Sequence, residues 1–473
     1  MAYDAVIVGS GPNGLAAAIT LAREGRQVLL LEAKDQIGGG LRSANCSLPG
    51  FVHDICSAIH PLAMASPFFA EVRLEDFGLQ WIDPDLPVAH PMADGTAAVL
   101  ERSLPATMDR FGTDGQRYEQ LIQPFLDHAD KLLPQLLAPP LFPSRPLLVA
   151  RFALKGLRSA ERIAHRYFST DAVRGMFAGM AAHSVRPLDA KLTAAVGLMF
   201  CITAHASGWP LPKGGSQSIA DAMLRCLESL GGEVTTGCPV ESMADLPPAK
   251  AILFDLTPQA VQKIAADQLP ARYCRKLQAF RHGPGVFKID WALSGPIPWK
   301  NEAARRAGTV HVGGTFEEIA KAEAEACSGT VPEQPFVLLA QQSLFDPSRA
   351  PAGKQTGWAY CHVPSGCNED MTEKIETQVE RFAPGFRDLI LQRHTMNPTE
   401  LESYNANYPG GDITGGVLEL GQFFARPTLR LPPYTTPNKK LFICSASTPP
   451  GGGVHGMCGF HAAQTALRKV LRD

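Results

Sequence analysis

Ala5-Val6-Ile7-Val8-Gly9-Ser10-Gly11-Pro12-Asn13-Gly14 joins a short apolar run to a GxGxxG turn. A continuous apolar tetrapeptide bounded by glycine suits a strand buried on both faces. Leu15, Ile19 and Ala22 follow at helical spacing, Gly25 ends the periodicity, and Val28–Leu31 is a second apolar run. The order is strand, turn, helix, strand. In such a unit Gly9 allows the tight turn, Gly11 lets backbone approach a pyrophosphate, and Gly14 lets the helix sit against the sheet. Pro12 and Asn13 complete the turn, and the helix start presents N–H groups to phosphate. Glu32, followed by Ala33, stands at the end of the second strand, 18 residues after Gly14. A carboxylate there accepts hydrogen bonds from adenosine ribose hydroxyls and repels a 2′-phosphate. A glycine turn in an unrelated α/β unit would leave Glu32 unexplained. The motif predicts a dinucleotide site and leaves NAD and FAD both open.

The rest of the 473 residues narrows the function class. Hydrophobic content of 45% with 19% charged residues is that of a packed globular protein long enough for two domains. A net charge of -2, without a dense Lys/Arg block, gives no footprint for nucleic acid. The N-terminal apolar run is too short for a secretory signal, which predicts a cytoplasmic protein. Leu192–Ala204, the longest apolar stretch, falls short of the roughly 18 residues of a spanning helix. Peripheral contact with a membrane stays open. The 11 cysteines include no CxxC pair: Cys46 and Cys56 are spaced too widely for a disulfide reductase, and Cys361 and Cys367 lie far from the nucleotide motif. The 13 histidines form no HxxxH or HExxH arrangement, so no metal site is expected.

After Glu32 comes Gly38-Gly39-Gly40-Leu41-Arg42, a flexible backbone stretch ending in a guanidinium, then Pro49-Gly50-Phe51 and Asp54. This order resembles the flavin amine oxidase superfamily, and within it the phytoene desaturase and carotenoid isomerase-like branch, of the pyridine nucleotide-disulfide oxidoreductase domain-containing type. The resemblance implies FAD, with Gly39, Gly40, Leu41 and Arg42 against its pyrophosphate and ribityl chain. One departure is visible: if the glycine pair is Gly38-Gly39, Gly40 takes the usual Arg position and Arg42 falls two residues late.

Residues 60–210 show little strand alternation and many Pro-containing apolar segments, such as Leu136–Leu148, so helices and loops are expected. Gly214-Gly215 introduces a helix bearing Ile219, Met223, Leu227 and Leu230, followed by strands at Glu233–Thr236 and Ala251–Phe254 with Val240 between them. The resemblance puts Val240 against the adenine; an apolar loop anchor is the alternative. Apolar runs at Phe287–Leu293 and Val337–Gln341 predict an antiparallel sheet, which in this superfamily floors the substrate domain. Leu441–Cys444 reads as a buried strand leading into Thr448–Met457 and a closing helix with Phe460, Gln464, Leu467 and Leu471. Strand, glycine-rich loop and helix start form a second site for negative charge, as a reduced flavin requires. The segment is similar to the C-terminal FAD signature of phytoene desaturases, which implies Gly453, Val454, Gly456 and Met457 at the isoalloxazine end.

The fold class is therefore α/β: a Rossmann-type FAD-binding domain from residues 1–59, 211–280 and 405–473, with an inserted α+β substrate domain from 60–210 and 281–404. No second GxGxxG follows a strand, so a dedicated NADPH domain is absent. Electrons then pass to a diffusible acceptor such as oxygen or a quinone, or the flavin cycles without net redox as in the isomerases. The resemblance implies a hydrophobic, isoprenoid or acyl substrate in an apolar cavity bordered by Val454–Met457; a lipid-binding escort protein of the same fold is the rival. His455, His60 and His183, the last with Arg186 nearby, are the candidate catalytic groups, each with a structural alternative. Tyr404, Asn405 and Asp412 are placed beside the cavity or in loop packing.

Overall fold

In a computed structural model that describes residues 3–140 and 143–472, the opening motif folds as read. Tyr3–Val8 is the centre of a five-stranded sheet in the order Leu441–Ile443, Ala249–Phe254, Tyr3–Val8, Val28–Leu31, Glu233–Thr235. All its pairings are parallel, with Ala5 opposite Ala251 on one side and Val28 on the other. Strands covered on both faces need no polar side, which is why they read as unbroken apolar runs. The strand order reverses between Tyr3–Val8 and Ala249–Phe254, so the crevice outside their carboxyl ends lies at a switch point.

Helices Pro12–Arg23 and Met457–Lys469 pack together on this sheet. Their approach needs glycine: a Cβ on Gly459 would collide with the backbone carbonyl of Asn13, and one on Gly14 with that of Gly9. The closing helix ends at Lys469, and Leu471, expected on it, lies beyond its end but is buried in the same core.

The second sheet has seven strands in the order Ile390–Met396, Gly285–Leu293, Gln355–Val363, Val337–Ala340, Ala307–Val312, Leu86–Pro91, Ala97–Leu100. Its pairings are antiparallel except between Ala307–Val312 and Leu86–Pro91. Leu86–Pro91 and Ala97–Leu100 are strands from the region expected to be dominated by helices and loops. Leu86–Pro91 is buried throughout and carries Pro87 and Pro91, so it shows neither alternation nor β-branched enrichment. Helices Gly115–Leu126, Asp171–Ala182 and Thr193–Ala206 build an apolar core against one face of the sheet. The long apolar stretch from Leu192 is the last of these, buried within the protein. No helix among the described residues is long and apolar enough to cross a membrane. Of the Pro-containing segment Leu136–Leu148, Leu141 and Phe142 lie outside the described residues.

One buried junction ties the two sheets together. The Asp54 carboxylate, fully buried, accepts hydrogen bonds from the Ser216 N–H at 2.7 Å, the Ser43 hydroxyl at 2.7 Å and the Arg349 guanidinium at 2.7 Å. Arg349 also donates to the Val52 carbonyl at 3.0 Å. Burial raises the Asp54 pKa, but Arg349 and the donors around it outweigh that and hold it below its ordinary value. Removing the cation strands a buried carboxylate. We expect Arg349→Met to destabilise the protein by about 3–5 kcal/mol, read as a lower midpoint of urea unfolding.

Candidate functional site

The loops after the carboxyl ends of Tyr3–Val8, Ala249–Phe254 and Leu441–Ile443 open onto one cavity of about 920 Å³. Gly9, Gly11, Pro12, Asn13, Glu32, Ala33, Gly39, Gly40, Arg42, Val240, Gly453 and Val454 all line it. Tyr404 and Asn405 line it too. Four expected cofactor residues do not. Gly14 turns its N–H to the Asp255 carboxylate at 2.8 Å and serves the helix–sheet contact. Leu41 is fully buried in the core of the parallel sheet. Gly456 packs on Phe68 and Ala16, and Met457 is buried behind the loop. Asp412 is also off the wall; it fastens a loop by accepting from the N–H groups of Gly283, Thr414 and Gly416 at 3.0, 2.7 and 2.9 Å.

Glu32 is held through both carboxylate oxygens. One carboxylate oxygen accepts the Ser10 N–H at 2.9 Å and the Ser10 hydroxyl; the other accepts the Lys34 N–H at 3.0 Å and Arg42 Nη2 at 3.2 Å. Arg42 is held further by the Gln36 carbonyl at 3.0 Å and lies 5.3 Å over the Tyr404 ring. The guanidinium expected to reach for phosphate is thus the partner of the strand-end carboxylate. Burying either charge alone would be costly, and together they hold both groups in the cavity wall.

The glycine turn still carries unused polar groups. The buried Asn13 Oδ1 has no hydrogen-bond partner among the described residues. A Cβ on Gly11 would strike the Asp255 carboxylate, and one on Gly39 would crowd the Gly11 backbone. The bare backbone, the strand-end acid and the second loop at Gly451–Val454 together fit an extended dinucleotide such as FAD. Asp255 was not anticipated. Its pKa is pushed up to about 7 by burial and, more weakly, by Glu32, against the pull of the Gly14 N–H.

Two of the three candidate histidines face the cavity. His60 lines it with Nε2 on the Ser216 hydroxyl at 2.8 Å and Nδ1 unpartnered. His183 lines it with its ring 4.7 Å from that of Phe200 and Nε2 unpartnered. Burial lowers their pKa values to about 4 and about 3, so both are neutral near pH 7. His455 is off the wall: its Nδ1 accepts the Met457 N–H at 3.0 Å and its Nε2 meets the Gly451 carbonyl at 3.2 Å. Its ring staples the glycine loop. Arg186 is off the wall as well, 3.7 Å from Glu419.

Lys288 is a second site residue that sequence reading missed. Its buried ammonium lines the cavity, contacts the Asp290 carboxylate and lies 5.8 Å from the centre of the Trp358 ring. Two charges at i and i+2 share one face of a strand, so their presence in the otherwise apolar Gly285–Leu293 run was the available signal. Burial raises the Asp290 pKa, but Lys288 and His394 outweigh it and keep the carboxylate below its ordinary range. Cys46, Asp290 and His394 bring three potential ligand atoms within 4.8 Å of one another. The Lys288 ammonium already neutralises that carboxylate and opposes a second cation there.

Comparison with known proteins agrees with this geometry. The profile of a family described as flavin containing amine oxidoreductase matches residues 13–458. The pyridine nucleotide-disulfide oxidoreductase domain-containing protein 2 of Rattus norvegicus is 24% identical, over 99% of this chain and 94% of its own. A limonene dehydrogenase component of Castellaniella defragrans is 22% identical, over 99% and 95%. Among solved structures, an oxidoreductase from Methanosarcina mazei superposes with a TM-score of 0.67 at 14% identity, over 98% of this chain and 100% of that one.

The raised Asp255 pKa has a consequence for stability. The folded protein holds this proton more tightly than the unfolded chain, so the contribution is complete below pH about 4 and is lost as pH rises through about 7. Asp255→Asn should therefore gain stability relative to the parent between pH about 4 and about 7. Denaturant unfolding at several pH values checks this, and a pH-independent difference would count against a raised pKa.

Proposed function

The chain belongs to the flavin containing amine oxidoreductase family, and from that premise we propose a dehydrogenase that takes a hydride from a hydrophobic small molecule and passes its electrons to a diffusible acceptor. It is an FAD-dependent oxidoreductase; bound FAD supplies the hydride acceptor. In this reading Gly9, Gly11 and Asn13 hold the pyrophosphate, Glu32 the adenosine ribose, Val240 the adenine side, and Gly453 with Val454 the ring end.

The observation that carries the substrate class is the apolar half of the cavity. Val149, Phe152, Val196, Met199, Phe200 and Leu338 line it. Among the described residues the only carboxylates on the wall are Glu32, Glu241 and Asp255, all on segments around the parallel sheet. A substrate ammonium would find no counter-charge beside those apolar side chains, whereas a hydrocarbon loses nothing there. The relative named for limonene supports the same class. Lys288 on the wall is neutralised by Asp290, so that pair offers no net charge to a cationic substrate.

His183 suits the remaining proton. Loss of hydride from carbon makes the neighbouring C–H strongly acidic, so a weak, neutral base is sufficient to remove it and leave a double bond. Its ring lines the cavity beside Phe200, with Nε2 buried and without a hydrogen-bond partner among the described residues.

Two measurements test this reading. The purified protein should show flavin absorbance, and Glu32→Gln should weaken FAD retention by about 1.5–3 kcal/mol; unchanged retention with a normal fold removes the ribose assignment. Anaerobic addition of an isoprenoid alcohol or hydrocarbon should bleach the flavin where a primary amine does not, and the reverse result would replace the hydrophobic-substrate assignment with amine oxidation.

A further inference from the structure

Of the ten large apolar side chains exposed among the described residues, three lie in 147–157 and four in 420–431. Leu147 is 86% exposed, Leu154 71%, Leu429 70% and Leu431 62%. Both segments also build the cavity: Leu157 and Phe424 line it and are themselves exposed, which puts them at an opening.

Helix Pro146–Gly156 explains how one segment does both. At 100° per residue, Val149, Phe152, Ala153 and Gly156 fall on one face, and these are the residues that line the cavity. Leu147, Arg151 and Leu154 fall on the opposite face, where leucine alternates with a cation. Arg145, Arg151, Lys155 and Arg158 lie in a stretch without a single Asp or Glu between Asp130 and Glu161. Lys155 contacts the Tyr167 hydroxyl at 2.6 Å, and none of the four is in an ion pair among the described residues.

We propose that this leucine and arginine face, with Leu429 and Leu431 of the second segment, docks on the surface of a bilayer containing anionic lipid and sets the cavity opening against the acyl layer. Exposed leucines interleaved with unpaired cations on a short helix match the two attractions that hold an interfacial helix: apolar burial below the headgroups and charge attraction to them. A water-facing role accounts for neither. What passes through the opening rests on the hydrophobic-substrate reading above; the docking itself does not.

Flotation of the flavin-loaded protein with vesicles of phosphatidylcholine, with and without phosphatidylglycerol, tests it. Binding should require phosphatidylglycerol, weaken at high salt, and fall by at least about tenfold in the double variant Leu147→Glu, Leu154→Glu. Neither side chain lines the cavity, so an unchanged flavin spectrum reports that the variant is folded. A second variant, Arg145→Gln with Arg151→Gln, should lose the phosphatidylglycerol dependence. No flotation of the parent, flotation indifferent to both variants, or self-association abolished by the leucine substitutions in the absence of vesicles would each overturn the proposal, the last in favour of an interface between copies of the chain. Loss of flotation with flavin chemistry intact would leave the dehydrogenase reading standing, and the converse also holds.

Discussion

Asp54 and Arg349 are both fully buried and meet at 2.7 Å, at the point where the N-terminal segment, the turn before helix Gln217–Ser229 and the loop after Val337–Ala340 converge. Two charges in a dry interior are tolerated only when each satisfies the other and neighbouring dipoles take up the remaining valences. Ser43, Ser216 and the Val52 carbonyl take up most of them here, and Arg349 Nη1 has no hydrogen-bond partner among the described residues. The parallel sheet and the seven-stranded sheet are thereby held in one relative position, and the cavity is the space that position leaves between them. Apolar packing alone would tolerate sliding; a hydrogen-bonded ion pair does not.

The same rule governs the rest of the interior. Glu32 is matched by Arg42 and Asp290 by Lys288, while Asp255, which has no cation, is pushed toward its neutral form. The buried histidines answer desolvation in the other direction and give up their protons, so the His60 and His183 rings that line the cavity are neutral. The result is a cavity wall of two characters: charged groups, Lys34, Arg42, Glu32, Glu241 and Asp255 among them, on the segments around the parallel sheet, and apolar side chains such as Val149, Phe152, Met199, Phe200 and Leu338 elsewhere.

Much of this was legible in the linear chain. Strand Tyr3–Val8, the glycine turn, helix Pro12–Arg23, Val28–Leu31 and Glu32 are contiguous, and their spacing is dictated by local geometry alone, so the elements could be read in order. The C-terminal strand, loop and helix could be read for the same reason, and so could the sheet at Gly285–Leu293. Within the glycine loop Gly453 and Val454 line the cavity, whereas His455, Gly456 and Met457 do not. Which side of a loop faces a ligand depends on what packs behind it, here Phe68 and Ala16, and no spacing rule contains that.

By itself the sequence determined the fold class and the family, because both rest on residues adjacent in the chain or on residue types. Tertiary structure alone decided that Arg42 answers Glu32, that Asp255 enters the glycine turn from 241 residues beyond Gly14, and that Lys288 reaches the same cavity as Gly11. It also decided that Leu86–Pro91 is a sheet strand and that helix Pro146–Gly156 shows one face to the cavity and the other to solvent. The reason is physical: local periodicity records which face of an element avoids water, but charge pairing and cavity shape arise where distant segments meet, and the chain carries no local trace of its partners.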